Sequence, residues 1–364
     1  MSSDLKYRVS LTRFPKIGPF RFQKLIKFFN SAENIWKAPF NDLKRSNLEE
    51  KIITDFITRR HEINPDAEME KLDKNNIKVL LFEDVDYPKL LKEIYAPPYL
   101  LYYKGDTKCL NEFVVAIVGT RKATSYGKQI TPMIAGELAR NGVVIASGLA
   151  FGIDTLAHEA VVNANGKTIG VLGSGLDKES FYPKQNLRLV ENIIAKSGII
   201  ISEHPIGVAP LPHHFPHRNR IISGLSLGVL IVEAAANSGS LITAKSALEQ
   251  NREIFTVPGS IFSPVSAGPN NLIKMGAKPV TSAFDILESL NLKKAEDFVA
   301  NQKIMPDTKE EKIILEYLNK EPIHIDELKR ATKLDVSKLS STLTMMEMKG
   351  KVKNIGGLNY VLGR

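Results

Sequence analysis

Glycine and hydroxyl residues stand directly after several short apolar runs in the middle of the chain. Glycine lets a ligand approach the backbone closely, and successive free amides form a nest for an anion. The loops of this kind read Gly119-Thr120-Arg121, Ser147-Gly148-Leu149-Ala150-Phe151-Gly152, Gly173-Ser174-Gly175 and Asn237-Ser238-Gly239-Ser240. One phosphate needs a single such loop, and a dinucleotide needs about two. Because the chain has at least four, the pattern predicts a site for a polyanion rather than for one small nucleotide.

A basic and aromatic segment lies between two of these loops. Residues 213–220 read His-His-Phe-Pro-His-Arg-Asn-Arg. Two interpretations of this segment stay open. In the first, Arg218 and Arg220 contact phosphates or bases while the phenylalanine stacks on a base. In the second, the segment is a structural turn in which an arginine pairs with Glu203 or Glu233.

Motifs for metals, cofactors and catalysis are weak. The histidines of the segment have no cysteine or carboxylate beside them, and Pro216 is expected to interrupt helical spacing, so we predict no metal site. The dinucleotide fingerprint is missing at the first strand, the Gly173-Ser174-Gly175 loop lacks a third glycine in register, and there is no Walker loop, so no cofactor is predicted. Glu233, or Asp154 with His158, would suit a base or a dyad. Capping and ion pairing are the favoured roles, and no catalytic residue is predicted.

The elements that position these loops alternate between apolar runs and helical patterns. The runs span residues 114–118, 143–146, 168–172, 198–201, 227–232 and 253–256. Strands that are apolar throughout are buried on both faces, which is typical of parallel sheets covered by helices. The pattern therefore predicts a doubly wound, mainly parallel α/β sheet, an extended Rossmann-like fold. Ligands of such sheets bind beyond the carboxyl ends of the strands, where these loops lie.

Smaller units flank this central part. Residues 1–75 have helical spacing, and segment 14–19 followed by a helix resembles half of a helix-hairpin-helix, although a simple helix turn would read the same. Short strands at 79–82 and 99–103 begin the α/β part, which we place at residues 76–292. A polar linker at 293–307 leads to residues 308–364, where three helices and a hairpin predict a winged helix.

Composition limits the classes of protein. The 364 residues carry 49 Lys plus Arg against 40 Asp plus Glu, a net charge of +9, which is compatible with an anionic partner. No apolar run approaches the roughly 20 residues of a membrane-spanning helix. The single cysteine, Cys109, cannot form an internal disulfide, and the N-terminus lacks the pattern of a secretory signal. We therefore expect a cytoplasmic protein without a membrane span.

A series of short motifs follows one order from about residue 84 to residue 290. The motifs are Ile117-Val118-Gly119-Thr120-Arg121, Ser147-Gly148-Leu149-Ala150-x-Gly152-Ile153-Asp154-x-x-Ala157-His158, Leu172-Gly173-Ser174-Gly175-Leu176-Asp177, Tyr182-Pro183-Lys184, Ser202-Glu203, Phe215-Pro216-x-Arg218-Asn219-Arg220-Ile221-Ile222-x-Gly224-Leu225, Ser238-Gly239-Ser240-Leu241-Ile242-Thr243-Ala244 and Pro258-Gly259. This series resembles the DNA-processing protein A family (DprA/Smf). It is far more specific than any single glycine motif.

The resemblance carries expectations about function. It implies an extended Rossmann domain that binds single-stranded DNA in a basic pocket and hands it to the RecA recombinase, chiefly during natural transformation. Arg121 and Lys184 match the family's two principal DNA-binding basic residues. The resemblance also implies a homodimer joined through the later part of this domain, at Leu248 and Ile273. The N-terminal unit resembles the family's sterile-alpha-motif-like extension, and the last unit its winged helix.

Three residues depart from the family pattern. Thr120 stands where serine is usual, which keeps the hydroxyl. Phe151 occupies a position that is often basic, which removes one phosphate contact. Lys16 replaces the first glycine expected in a hairpin turn, so DNA contact by the N-terminal unit is not supported by the sequence.

The predicted site for single-stranded DNA combines the strand-end loops with the basic residues of the motifs. Its residues are Gly119, Thr120, Arg121, Ser147, Gly148, Gly152, Gly175, Lys184, Phe215, Arg218, Asn219, Arg220, Ser238, Gly239 and Ser240. The alternative is a nucleotide hydrolase of the phosphoribohydrolase class, which uses a Pro-Gly-Gly-x-Gly-Thr loop beside a catalytic glutamate. Residues 237–240 lack that loop, but Glu233 keeps the alternative open. A transcription regulator that reads duplex DNA through helix 336–349 is a third hypothesis.

Overall fold

The computed structural model of the protein describes residues 2–291, 308–318, 322–349 and 351–362. The chain forms two compact units, Met1–Leu292 and Lys293–Arg364. The predicted linker at 293–307 lies outside the described residues.

A nine-stranded sheet forms the centre of the first unit. Its strands are β1 (Lys78–Leu81), β2 (Leu100–Gly105), β3 (Val114–Val118), β4 (Val144–Ser147), β5 (Thr168–Leu172), β6 (Ile199–Ser202), β7 (Gly228–Ile231), β8 (Glu253–Thr256) and β9 (Lys278–Pro279). Their spatial order is β1-β2-β6-β5-β4-β3-β7-β8-β9. Strands β3 to β9 pair in parallel, whereas β1 and β2 form an antiparallel extension on β6. The predicted mainly parallel sheet is confirmed.

Helices cover both faces of this sheet. They are α7 (Lys89–Lys92), α8 (Ser125–Arg140), α9 (Ile153–Asn163), α10 (Leu187–Ala195), α11 (His214–Gly224), α12 (Ser240–Glu249), α13 (Ala267–Lys274) and α14 (Ala283–Ser289). Val114, Ala116 and Val118 share a core with α11 and α12. The alternate residues of β3 point to the other face, where α8 packs on α9. The doubly wound architecture follows from strands that are apolar on both faces.

The N-terminal part of the first unit is helical. Its helices are α1 (Ser2–Leu11), α2 (Pro19–Phe29), α3 (Ala32–Lys37), α4 (Phe40–Arg45), α5 (Glu50–Arg60) and α6 (Pro65–Lys74). Proline occupies the first position of α2 and α6, where its fixed φ suits a helix start. The rings of Phe14, Trp36 and Phe56 pack edge to face. These helices share one hydrophobic core with β2 and β6, through residues such as Tyr102 and Ile200.

The two edges of the large sheet differ. β1 is a four-residue strand paired with β2 along its whole length. β9 consists only of Lys278 and Pro279, and it pairs in parallel with the end of β8. Such a short edge with a proline offers little backbone for further pairing.

The second unit contains a winged helix. Its helices are α15 (Lys309–Leu315), α16 (Ile325–Thr332) and α17 (Val336–Met348), and its strands are β10 (Ile323–His324), β11 (Val352–Asn354) and β12 (Asn359–Leu362). The three-stranded sheet has the order β10-β12-β11. Ile314, Leu328 and Leu343 are fully buried in its core. The predicted three helices and hairpin are confirmed, with β10 as an additional short strand.

The structure also bears on the expected lack of a membrane span and on the single cysteine. In the ranges that the structure describes, no helix combines the length and apolarity needed to cross a membrane. Cys109 is a free, buried thiol, and burial raises its pKa to about 12.

Candidate nucleic-acid interface

A cavity of about 280 Å³ opens at the carboxyl edge of the large sheet. It lies where the strand order reverses, between the loops after β3 and β7, with α11 along one side. Open α/β sheets bind ligands at such a switch point. Nine of the predicted site residues line it together, namely Gly119, Thr120, Arg121, Phe215, Arg218, Asn219, Ser238, Gly239 and Ser240.

The turn that carries Arg121 is held by backbone hydrogen bonds. The Thr120 amide donates to the Glu233 carbonyl over 2.7 Å, and the Thr120 carbonyl accepts from the Ile153 amide over 3.2 Å. Gly152 has a φ of +76°, and a Cβ there would lie 2.3 Å from the Thr120 carbonyl oxygen. Only glycine fits this close approach in a left-handed conformation. Thr120 and Gly152 thus fix the direction in which Arg121 leaves the sheet.

Arg121 and Lys184 are exposed cations. Among the described residues, no carboxylate forms an ion pair with either side chain. The Arg121 guanidinium carbon lies 5.2 Å above the centre of the Phe215 ring, within the range of a cation–π contact. Arg121 therefore presents its charge at the mouth of the cavity and keeps it free for an anion.

A row of aromatic rings connects the cavity with the loop that carries Lys184. The rings of Phe215 and Tyr182 are 6.2 Å apart, and those of Tyr182 and Phe151 are also 6.2 Å apart. Lys184 is two residues beyond Tyr182, outside the cavity lining. Exposed Tyr182 and half-buried Phe215 offer ring faces to stack on nucleobases.

Arg218 forms part of the cavity wall and is almost fully buried. Its Nη1 donates to the Gly148 carbonyl over 2.8 Å and to the Val171 carbonyl, and a Cβ on Gly148 would meet the guanidinium at 2.4 Å. Burial lowers the Arg218 pKa to about 10. The charge of Asp154 opposes this shift, and the charge of Arg121 adds to it. Arg218 stays charged at neutral pH, but its hydrogen bonds join the loop after β4 to the end of β5.

Asp154 and His158 do not form a catalytic dyad. Asp154 Oδ2 accepts hydrogen bonds from the Gly148 amide, over 3.0 Å, and from the Ala150 amide. Burial raises the pKa of this carboxyl. His158 Nδ1 is bonded to the Thr168 hydroxyl over 2.7 Å, and burial lowers its pKa to about 3. Asp154 thus caps amides of its own loop, as expected, and His158 is a neutral residue of the core.

The start of α12 completes the opposite wall. The hydroxyls of Ser238 and Ser240 are 2.8 Å apart, and the Asn219 amide donates to the Gly239 carbonyl over 3.3 Å. Gly239 is exposed, and no atom lies within 4 Å of a Cβ placed there. The first amides of this ten-residue helix bond to residues 238 and 239, and the positive end of the helix dipole still favours an anion here.

Glu233, the candidate base of a hydrolase, is buried away from the cavity lining. Its carboxylate accepts from the Thr124 amide over 3.0 Å and from the Thr124 hydroxyl. A Cβ on Gly127 would lie 2.3 Å from one of its oxygens. Glu233 therefore stabilises the start of α8, by bonding to threonine rather than to the expected arginine.

Several predicted residues lie elsewhere. Ser147 is fully buried and donates to the Ile117 carbonyl over 2.6 Å. Gly175 is buried in the loop after β5, and its amide donates to the Val208 carbonyl. Arg220 is ion-paired with Glu203, which agrees with the structural interpretation of segment 213–220. The structure does not bring these three residues to the cavity.

Sequence reasoning did not list two residues that belong to this surface. Thr243 lines the cavity one helical turn after Ser240, and i, i+3 spacing on a helix is the signal that identifies it. Tyr182 contacts Phe215. Its position directly before Pro183 and Lys184 is the sequence feature that could have identified it.

The fold and the cavity define a doubly wound α/β protein with a crevice at the carboxyl edge of its sheet and with a winged helix in its second unit. Comparisons with known proteins agree. The family model described as DNA recombination-mediator protein A matches residues 78–291, and the DprA winged helix domain matches residues 299–357. The chain belongs to the DNA recombination-mediator protein A family (DprA/Smf), as its motifs predicted.

Relatives and solved structures extend this result over most of the chain. Protein Smf of Synechocystis sp. is 36% identical over 99% of both chains. The X-ray structure of DNA processing protein A from Streptococcus pneumoniae is 37% identical, covers 78% of this chain and 97% of that chain, and gives a TM-score of 0.67. DNA processing protein A from Helicobacter pylori, whose structure concerns its single-stranded DNA binding mode, is 34% identical, covers 60% of this chain and 96% of that chain, and gives a TM-score of 0.53.

Proposed function

We propose that the protein binds single-stranded DNA along the carboxyl edge of the large sheet. The observation that carries this proposal is the free charge of Arg121 above Phe215 at the mouth of a cavity lined by amides and hydroxyls. Family membership and the DNA-binding mode of the Helicobacter pylori relative support it.

In this proposal Arg121 and Lys184 neutralise successive phosphates. The hydroxyls of Ser238 and Ser240 contact the same strand from the opposite wall, and Arg218 adds positive charge beneath it. Bases stack on Phe215 and Tyr182. Phosphate contacts and stacking carry little sequence information, so binding is largely independent of sequence.

The cellular role we infer is that of a recombination mediator. The bound strand is protected and passed to the RecA recombinase, during DNA uptake and recombination in the cytoplasm. Two copies of the chain meet through α12 and α13, where Leu248 is 64% exposed and Ile273 is half-buried. A homodimer holds two DNA sites on one particle, which strengthens binding of long strands. No catalytic step is part of this role.

A salt titration of single-stranded DNA binding tests the proposal. The affinity of wild type and of the double variant Arg121→Ala, Lys184→Ala for a labelled oligothymidine is measured by anisotropy at several salt concentrations. Each neutralised phosphate contributes about 0.7 to the logarithmic salt slope on single strands. The double variant should bind more weakly, with a slope flatter by about 1.4.

A charge-matched control is the double variant Arg140→Ala, Lys196→Ala. Both side chains are exposed and lie at the opposite, amino edge of the sheet, at the end of α8 and just after α10. This control should keep the wild-type slope. Equal slopes in all three proteins would contradict the proposed DNA path, and a duplex preferred over the single strand would favour the winged helix as the DNA reader.

A further inference from the structure

A second, larger cavity lies between the N-terminal helices and α11. Its volume is about 810 Å³, within the range of small-molecule sites. One wall comes from the turn between α1 and α2 and from α6, and the other from β2, the segment after β6 and the start of α11. None of the nucleic-acid contacts proposed above uses this cavity.

Helix α11 separates the two cavities. Phe215, Arg218, Asn219 and Ile222 line the first cavity, and His213, His214, His217 and Arg220 line the second. Each set repeats at three to four residues, so polar side chains occur on two faces of the helix, namely Arg218 and Asn219 on the first and all four residues on the second. An ordinary surface helix has one apolar and one polar face. The second polar face therefore requires its own explanation.

Polar atoms without partners gather in the wall of the second cavity. Tyr99 Oη, His204 Nε2, His214 Nδ1 and Arg220 Nη1 are buried and have no hydrogen-bond partner among the described residues. The rings of His204 and His214 stack at 4.3 Å. An unpaired buried polar group costs about 1–3 kcal/mol. Several polar atoms just beneath the cavity surface are therefore available to bond to a ligand.

The charges of the wall favour an anionic ligand. Glu203 is ion-paired with Arg220, and Glu68 is ion-paired with Arg13 and Lys71. These two carboxylates are not free to hold a cation. The lining also contains Glu62 and Arg59, so its four cationic side chains exceed its three carboxylates by one. Arg220 Nη1 and Tyr99 Oη are donors, and burial with the charges of neighbouring groups lowers the His204 pKa to about 4, so its neutral ring can donate from Nε2.

We propose that the second cavity binds a phosphate monoester through Tyr99, His204 and Arg220. Binding requires new rotamers of His204 and Arg220 and a shift of the Tyr99 ring, because the unpaired atoms of all three lie beneath the cavity surface. The cavity volume admits a whole mononucleotide. The monoester comes either from a free mononucleotide or from the phosphorylated end of a DNA strand, since both present the same group.

Calorimetric titration of the full chain with AMP and with inorganic phosphate tests the proposal. Arg121→Ala serves as the background, because it weakens phosphate binding in the first cavity. Tyr99→Phe and His204→Phe are added separately, since the first removes only a hydroxyl and the second replaces the imidazole by an aromatic ring without polar atoms. We expect AMP binding in the background protein and a loss of roughly tenfold in affinity with either added variant. Tyr99→Phe should not lower thermal stability, because the hydroxyl has no partner in the free protein.

The source of the phosphate is resolved with oligothymidines that carry a 5′-phosphate or a 5′-hydroxyl. Tighter binding of the phosphorylated strand, abolished by Tyr99→Phe, supports the proposal with a strand end as ligand. AMP binding that responds to Tyr99→Phe, with equal affinity for the two strands, supports it with a free nucleotide. The proposal is overturned if neither AMP nor the phosphate end binds, if Tyr99→Phe and His204→Phe bind like the background, or if Arg121→Ala alone abolishes binding.

Discussion

Replacing Gly152 by alanine tests whether the turn that carries Arg121 is fixed by its packing. The new methyl group would lie 2.3 Å from the Thr120 carbonyl oxygen and 2.7 Å from the Arg121 carbonyl. Ordinary contact begins near 3.5 Å, so the turn must move by about 1 Å. The left-handed φ adds about 1–2 kcal/mol for an L-residue, and overpacking adds about 1–3 kcal/mol. We expect a loss of about 3 kcal/mol in the free energy of unfolding.

The assay combines urea unfolding with anisotropy at a temperature at which the variant is folded. Single-stranded DNA affinity should fall about tenfold, because Arg121 is displaced. Gly239→Ala is the matched control, since Gly239 lines the same cavity, has an ordinary φ, and has open space at its Cβ position. It should change stability by less than about 0.5 kcal/mol. A Gly152→Ala variant as stable as wild type, or one that is destabilised but binds DNA normally, would show that packing at Gly152 does not fix the position of Arg121.

Three further predictions follow from buried groups. Arg218→Met should lower the free energy of unfolding by about 3–5 kcal/mol, because it leaves Asp154 buried without its cation. Arg121 is exposed, so Arg121→Met should leave the free energy of unfolding unchanged. Urea titrations of the two variants measure this difference. His158 has a folded pKa of about 3 against an ordinary 6.5, so only the unfolded chain binds this proton between those values, and His158 alone should lower the free energy of unfolding at pH 5 by about 2 kcal/mol relative to pH 7. His158→Asn should remove this part of the pH dependence and leave the part due to His204, whose pKa is also lowered; an unchanged pH dependence would contradict the assignment. Cys109, with its pKa near 12, should resist alkylation at pH 8 in the native protein and react once urea unfolds it; rapid labelling of the folded chain would be inconsistent with its burial.

Strands and strand-end loops were predictable because their signals are local. The bounds of β3, β5 and β8 agree residue for residue with the apolar runs, and those of β4, β6 and β7 differ by one residue at each end, whereas the short parallel strand β9 was not predicted. The spatial order of the strands was not predictable in the same way. It depends on which strand edges pair, and apolar runs that are all alike carry no information on that choice.

The arginines of segment 213–220 show where local reasoning failed. Pro216 was expected to interrupt helical spacing, but it lies in the first turn of α11, where proline is tolerated. Two residues apart on a helix differ by about 200°, so Arg218 and Arg220 must face different surroundings. The helix explains why one arginine lines the first cavity and the other pairs with Glu203. With the helix start recognised, the sequence alone would have separated them.

The second cavity could not have been predicted. Its walls come from positions as far apart in the chain as Arg13, Tyr99 and His204, which only the packing of the N-terminal helices against β2 and β6 brings together. Each of these residues has an unremarkable sequence context. Their grouping depends on long-range contacts.

The narrow β9 edge limits how two copies of this chain can associate. Pro279 has no amide proton, and a strand of two residues gives an incoming segment almost nothing to align with. A continuous intermolecular sheet is therefore disfavoured at this end. Any partner that meets the molecule here must recognise side chains, so its specificity resides in surface residues that can mutate without disturbing the backbone ladder.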